Sequence, residues 1–162
     1  MRIMGEKTKV TLYTDGACSG NPGKGGYGAI LVHVDTNGVK HEKEFSEGYQ
    51  NTTNNQMELL AVIVGLEALK KPCEVKIVSD SKYVVDSIEK GWLDNWVARG
   101  WRKSDNKPVP NMELWKRLIN AKKNHDITLE WIKGHAGHEY NERCDRLAVA
   151  AYKKEDLKIE VA

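Results

Sequence analysis

The chain is expected to fold as an α/β protein, a mixed β-sheet with helices packed against it. Three features of the sequence lead there. Three strand-like runs, Val10 to Thr14, Ala29 to Val34 and Val39 to Phe45, fill the first part. Asp35-Thr36-Asn37-Gly38 joins the second run to the third. Asn-Gly is a strong hairpin signal because both residues accept the positive φ of a type I′ turn, so the first half reads as an antiparallel meander. From Thr52 onward the patterns run helix–strand–helix–helix–strand–helix, which places helices on a sheet. A single domain over residues 1–162 is expected, with a core from about 8 to 153 and an unassigned tail over 154–162.

In chain order, Val10, Leu12 and Thr14 alternate with Thr11, Tyr13 and Asp15, a strand that delivers one carboxylate at its end. Six glycines and Pro22 follow between Gly16 and Gly28, backbone that can bend closely around a ligand. Thr52-Thr53-Asn54-Asn55 offers several N-caps for a helix from about Asn55 to Lys70, ended by Pro72. Glu74 to Ser79 reads as a buried strand running into Asp80-Ser81, a helix start, with Tyr83, Val84, Val85 and Ile88 following before Gly91. Trp92, Trp96 and Trp101 are interleaved with Arg99, Arg102 and Lys103, and Pro108 and Pro110 mark a loop. Met112 to Lys122 is expected to be helical, with Leu114, Leu118 and Ile119 inward. Ile127, Leu129 and Trp131 alternate with Thr128 and Glu130 as a last strand. After the loop Gly134-His135-Ala136-Gly137, a helix from about Glu139 to Lys153 carries Cys144, Leu147, Ala148 and Ala151 at helical spacing.

Composition bounds the function. With 40% hydrophobic and 30% charged residues the chain is ordinary for a soluble globular protein. Its longest apolar run, Leu59 to Leu66, is far below the ~20 residues of a membrane helix, so no membrane association is expected. The first residues carry no apolar stretch of a secretory signal. Cys18, Cys73 and Cys144 are odd in number and widely spaced, giving neither a disulfide framework nor a zinc pattern, which suits the cytoplasm. Charge is unevenly spread. Arg99 to Lys123 holds eight basic residues against Asp105 and Glu113, a balance of +6, leaving −4 elsewhere in a chain of net +2. That asymmetry suits an acidic site beside a basic surface, or a solvated helix face.

Four acids stand where structure alone does not obviously want them. Asp15 ends a strand, or is an Asp-Gly turn residue. Asp80 lies between strand and helix, where it would also serve as an N-cap. Glu58 follows Met57 and precedes eight uncharged residues, so it faces the sheet or its edge, or else solvent at the helix boundary. Asp145 is adjacent to Cys144, unless it is a surface acid paired with Arg143 or Arg146. A half-buried carboxylate needs hydrogen bonds or a cation. Oxygen ligands without clustered cysteine or histidine select hard cations, Mg²⁺ or Mn²⁺. His135, His138 and Cys144 are too irregularly spaced for zinc, and His135 reads better as a proton carrier.

Tyr13-Thr-Asp-Gly-Ala-Cys-Ser-Gly-Asn-Pro-Gly, Thr52-Thr-Asn-Asn-Gln-Met-Glu58-Leu, Val78-Ser-Asp80-Ser-Lys-Tyr-Val and Gly134-His135-Ala-Gly-His with Asn141-Glu-Arg-Cys-Asp145 resemble the motifs of type 1 ribonuclease H, in its bacterial single-domain form. The resemblance runs in order from about Val10 to Ala151, and only 14 residues precede Asp15, too few for an added hybrid-binding domain. It implies a five-stranded mixed sheet, three antiparallel strands then two parallel, flanked by helices. It further implies endonucleolytic hydrolysis of the RNA strand of an RNA–DNA hybrid, leaving 5′-phosphate and 3′-hydroxyl ends. Asp15, Glu58, Asp80 and Asp145 match the metal-binding carboxylates and His135 the catalytic histidine. Two Mg²⁺ ions with substrate bound, or Mn²⁺, about 3.5–4 Å apart would activate water and stabilise the leaving 3′ oxygen. A monomer is expected. A non-catalytic hybrid-binding module, or a DNA-acting nuclease of the same fold, is the alternative.

The resemblance also assigns substrate contacts. Cys18, Ser19 and Asn21, with Asn54 and Asn55, match residues that face the RNA minor groove, where the 2′-hydroxyl distinguishes RNA from DNA. Thr53 matches a residue that grips a DNA phosphate. Trp92 to Pro110 resembles a basic handle along the DNA strand, with Trp92, Arg99 and Lys103 as contacts and Trp96, Trp101 and Trp115 as its core. Two departures stand out. The segment Trp92 to Arg99 is poor in charge for a handle, and Asn51 stands where an arginine is often found near the phosphate pocket. Weaker hybrid affinity than that of a handle-rich relative is expected.

Overall fold

The computed structural model describes residues 7–134 and 137–161. Among them, strands β1 (Thr8–Cys18), β2 (Gly23–Val34), β3 (Lys40–Thr52), β4 (Cys73–Ser79), β5 (Asp126–Trp131) and β6 (Lys158–Glu160) form one sheet in the order β5-β4-β1-β2-β3-β6. The β1–β2–β3 meander is antiparallel, while β4 and β5 add parallel to β1. The sixth strand is the departure from the expected five. It comes from the unassigned tail and pairs parallel with the outer edge of β3, at Tyr49 and Asn51. Three residues with one buried neighbour carry no usable alternation, so pairing of an open edge, not pattern, makes this strand.

Helices α1 (Asn54–Glu67), α2 (Lys82–Glu89), α3 (Trp92–Ala98), α4 (Met112–Lys122) and α5 (Glu139–Tyr152) complete the chain. Thr53 is the N-cap of α1 in a capping box with Gln56, which explains why the helix starts one residue before the expected Asn55. The core lies between α1 and the sheet. Leu12, Leu59, Ile63, Leu66, Ile77 and Trp115 are fully buried there or nearly so. A Cβ on Gly65 would come within 2.5 Å of Leu12 Cδ1, so the helix glycine receives a strand side chain. Trp115 anchors α4, its Nε1 donating to Tyr83 Oη of α2 at 2.8 Å, and Trp96 meets it edge-on. Trp96 and Trp101 pack against this core, as expected of a handle interior.

The glycine-rich stretch is the main correction. It does not loop away after Asp15: β1 continues to Cys18, and Asp15 to Cys18 pair with Gly28 to Gly25 of β2. The glycines serve the sheet's other face. A Cβ on Gly28 would strike the carbonyl of Cys144, one on Gly26 that of Ala148 and one on Gly48 that of Ala151. Helix α5 therefore lies with its backbone directly on the sheet, burying Cys144, Ala148 and Ala151 together with Asn141. The three cysteines are unpaired. Among the described residues no helix is long and apolar enough to cross a membrane.

Candidate active site

Strands β1 and β4 run parallel, and their ladder ends at the pair Tyr13 and Val78. Asp15 and Asp80 each stand two residues further on, side by side where the strands part. Openings at the carboxyl ends of parallel strands are where open α/β sheets accept ligands. Helix α1 adds Glu58 from one turn into the helix. Gly16 admits the helix: a Cβ there would lie 2.6 Å from the backbone nitrogen of Glu58. One carboxylate oxygen from each of Asp15, Glu58 and Asp80 lies within 4.8 Å of the others, a spacing that could hold a metal ion.

This cluster is short of positive charge and of donors. Asp15 is 5% exposed and accepts one hydrogen bond at Oδ1, from the Gly16 amide at 2.9 Å. Burial, then the charge of Asp80, pushes its pKa from 3.8 to about 8. Glu58 is raised well above the ordinary glutamate range by burial and by Asp15. Its Oε2 is buried without a hydrogen-bond partner. An orphaned acceptor among carboxylates is the signature of a place for a cation, and an all-oxygen donor set fits Mg²⁺ or Mn²⁺.

Asp80 is not the cap of its helix. Ser81 is: its Oγ accepts from Val84 N at 3.2 Å, which leaves the Asp80 carboxylate to the cluster. Asp145, on α5, lies outside the trio, but its charge contributes to the raised pKa of Asp15. Its alternative as an ion-pair partner of Arg143 does not hold, since Arg143 binds Glu42 and Glu44 instead. The register explains the approach of α5. Gly28 pairs with Asp15, and it is over Gly28 that the Cys144 carbonyl sits, one residue before Asp145. Gly134 brings the preceding loop against Asp80, where a Cβ would lie 2.7 Å from Oδ2. His135 lies outside the described residues.

The expected nucleic-acid contacts divide. Asn21 and Asn54 come together, the Asn54 amide donating to Asn21 Oδ1 at 3.1 Å, and Asn55 is exposed beside them. Ser19 is exposed, its amide and Oγ both donating to the Lys24 carbonyl to close the turn. Cys18 is half-buried, and its thiol points to the Thr52 carbonyl at 3.6 Å, so that side chain supports the turn from within. Thr53 Oγ1 is engaged as the α1 cap and borders a groove of about 210 Å³ with Asn51, Gln56 and Val161 of the tail. Trp92 opens α3 and is 43% exposed, with Lys90 Nζ 5.8 Å from its ring. Arg99 is exposed at the end of α3, whereas Lys103 is half-buried with Asp105 3.9 Å from its Nζ. These residues lie along the chain from the acids, not within their cluster.

Sequence reading missed the pair Lys82 and Trp131 beside the acids. Trp131 Nε1 donates to the Asp80 carbonyl at 3.0 Å, and Lys82 Nζ lies 4.9 Å from its ring centre. No local pattern links residues so far apart; a lysine directly following the Asp80-Ser81 helix start was the one available signal.

Comparison with known proteins agrees with this architecture. The family model described as RNase H matches residues 7–153. The chain is 59% identical over 144 residues to a ribonuclease H of Lachnoclostridium phytofermentans, covering 88% of this chain and 91% of that one. It is 52% identical over 153 residues to a ribonuclease H of Desulforamulus reducens, covering 94% and 93%. Among solved structures it resembles LC9-RNase H1, described as a type 1 RNase H with the type 2 active-site motif, at a TM-score of 0.83 and 31% identity over 91% of this chain and 73% of that one. The RNase H1 of Halobacterium salinarum NRC-1 is more distant, at a TM-score of 0.60 and 26% identity, covering 88% and 96%. A match over nearly the whole chain, in family model and in relatives, joins the parallel-strand acids to a known enzyme class: this chain belongs to the ribonuclease H family.

Proposed function

We propose that the chain hydrolyses the RNA strand of RNA–DNA hybrids endonucleolytically, leaving 5′-phosphate and 3′-hydroxyl ends, with Asp15, Glu58, Asp80 and Asp145 holding two Mg²⁺ ions. The observation that carries this reading is the acid trio, with Asp15 buried and the Glu58 Oε2 atom buried and partnerless. Divalent cations bound there would activate the attacking water and stabilise the leaving oxygen in an in-line displacement. Asp15 shares the cluster with Glu58 and Asp80, one oxygen of each within 4.8 Å of the others. The Gly16 amide fixes the orientation of Asp15, so little reorganisation is left for the moment of reaction. His135, which matches the family's catalytic histidine, is assigned the role of proton carrier.

Substrate choice is a second task of neighbouring backbone. Ser19, Asn21, Asn54 and Asn55 stand on one exposed corner joined by the Asn21–Asn54 hydrogen bond, and we assign them to the RNA minor groove. Thr53 contacts a DNA phosphate, and Trp92, Arg99 and Lys103 track the DNA strand. The unpaired cysteines suit a reducing cytoplasm.

The test is cleavage of RNA–DNA, RNA–RNA and DNA–DNA duplexes with Mg²⁺ by wild type and Asp15→Asn. Hybrid cleavage alone is expected, lowered in the variant by about 10³-fold, which corresponds to several kcal/mol of transition-state charge stabilisation. Cleavage of DNA–DNA, or full activity in Asp15→Asn, would overturn the reading. His135→Ala is expected to slow turnover with metal binding intact; a lost calorimetric metal signal would make it a ligand instead.

A further inference from the structure

Helix α5 rests on a track of strand glycines that offers only shallow seats for side chains. Gly26, Gly28 and Gly48 face the carbonyls of Ala148, Cys144 and Ala151, so backbone meets backbone. Helices are ordinarily keyed to their neighbours by side chains seated in grooves. On this track only the Cβ atoms of Leu147 and Ala151 reach into the gaps at Gly28 and Gly26, so the keying is shallow and rotation of the helix about its own axis is weakly resisted. Residues two apart on an α-helix point about 200° apart. With Cys144 turned to the sheet, Arg143 and Asp145 leave the helix on opposite sides. A small roll therefore moves Asp145 relative to Asp15.

Something else must hold the angle, and the Arg143 side carries it. Arg143 Nη1 meets Glu42 Oε2 at 2.9 Å and Nη2 meets Glu44 Oε2 at 2.9 Å, so one guanidinium spans two same-face residues of β3. Tyr140, three residues earlier, donates from Oη to Glu42 Oε1 at 2.5 Å. Its ring stacks on Tyr13 of β1 with centroids 4.3 Å apart and planes at 13°. The first turns of α5 are thus tied to β3 by charge-assisted bonds from Arg143, two residues before Asp145, and to β1 by the stacked ring of Tyr140, five before it.

We infer that Arg143, clamped by Glu42 and Glu44 with Tyr140 alongside, is a positioning residue that fixes the roll of α5 and so places the Asp145 carboxylate for metal binding. This rests on the reading of Asp145 as a metal ligand. Its guanidinium is taken up by Glu42 and Glu44, so Arg143 acts through the helix. Surface ion pairs add little to global stability, so the effect falls on the site more than on the fold.

The test titrates Mn²⁺ calorimetrically into the full chain and, separately, measures the Mn²⁺ dependence of hybrid cleavage. The variants are Arg143→Ala, Arg143→Lys, Glu42→Gln with Glu44→Gln, Asp145→Asn, and Arg143→Ala combined with Asp145→Asn. Arg143→Ala is expected to weaken Mn²⁺ binding and lower kcat by roughly 10-fold, the usual cost of losing a residue that orients a ligand. KM for the hybrid should stay within about twofold, because ground-state binding is not the affected step. Arg143→Lys should recover part of the loss. In the Asp145→Asn background, Arg143→Ala should add nothing. Additive losses, or unchanged Mn²⁺ binding in Arg143→Ala while Asp145→Asn weakens it, would overturn the inference and leave the site reading intact. Should Arg143→Ala not fold, the isosteric double glutamine variant answers the same question, and unchanged Mn²⁺ binding there overturns the inference. Asp145→Asn without effect on either readout overturns the site reading itself, and this inference with it.

Discussion

Helix α1, which brings Glu58 into the acid cluster, and helix α5, which carries Asp145 outside it, reach the sheet by opposite means. Helix α1 buries Met57, Leu59, Leu60, Val62, Ile63 and Leu66, and its Glu58 rides on that apolar packing. Helix α5 buries small side chains and lays its backbone on strand glycines, with a polar clamp at one side. One acid is held by close-packed volume and the other by close approach plus an ion-pair cluster. Rigid packing suits the acid that shares a buried site with Asp15, since two facing carboxylates repel. Asp145, farther out, is placed by helix geometry.

Two glycine substitutions test that contrast most strongly. Gly28→Ala puts a Cβ into the Cys144 carbonyl, which can move only with the whole of α5, and should cost about 3 kcal/mol in denaturant unfolding. Gly65→Ala meets the end of the Leu12 side chain, which can shift, and gains helix propensity. Its net cost should be about 1 kcal/mol or less. Equal costs would erase the distinction between the two faces.

Glu58→Gln comes next. Its amide can donate where two carboxylates now face each other, so the metal-free protein should gain about 1–3 kcal/mol, the usual penalty of one unsatisfied buried group. Catalysis should be lost at the same time. Destabilisation in chelator would mean the cluster is not strained by its own charge.

Acid titration probes the same strain. The folded-state pKa of Asp15 lies above its ordinary value, so between 3.8 and about 8 the native state holds a proton that the unfolded chain has lost. Stability contributed by this group is present below pH 3.8 and falls as pH rises towards about 8, and Glu58 acts in the same direction. His125, depressed by burial, works oppositely. The difference between wild type and Asp15→Asn cancels it. In chelator, the advantage of Asp15→Asn should grow from pH 5 to pH 8 in thermal melts; a flat difference would contradict the raised pKa.

The smallest effects belong to the handle. Arg99→Ala should lower the log–log salt slope of hybrid binding by about 0.9, one phosphate contact. Lys103→Ala should change it less, because Asp105 already partly offsets that charge. A titration with equal slopes for both would remove the basis for separating them.

Much of the fold is legible in the sequence where a local period or cap carries it. The hairpin at Asn37-Gly38 and helix α4 over Met112–Lys122 need only neighbouring residues to be read. So does the strand Ile127 to Trp131, which the structure extends by Asp126. The hairpin turn is not the expected type I′, however: in it only Gly38 has a positive φ, and the Gly38 amide closes the turn on the Asp35 carbonyl. Elements made by pairing or by contact were not legible. The glycines after Asp15 look like a loop because strand propensity ignores what lies across the face; in the fold they are strand residues that clear space for α5. The short helix Trp92–Ala98 starts at Gly91 in a left-handed conformation and has no side-chain cap to announce it.

The candidate site divides the same way. The sequence by itself determined which acids to consider and, through the four motifs, their family. It also determined the choice of oxygen-loving cations, since that follows from ligand chemistry alone. Only the tertiary structure decided that Asp15, Glu58 and Asp80 converge, that Ser81 takes the capping role from Asp80, and that Arg143 turns away from Asp145 to Glu42 and Glu44. Convergence and partner choice depend on which strands run parallel and how closely a helix may approach. Those are long-range consequences of packing, and no window along the chain contains them.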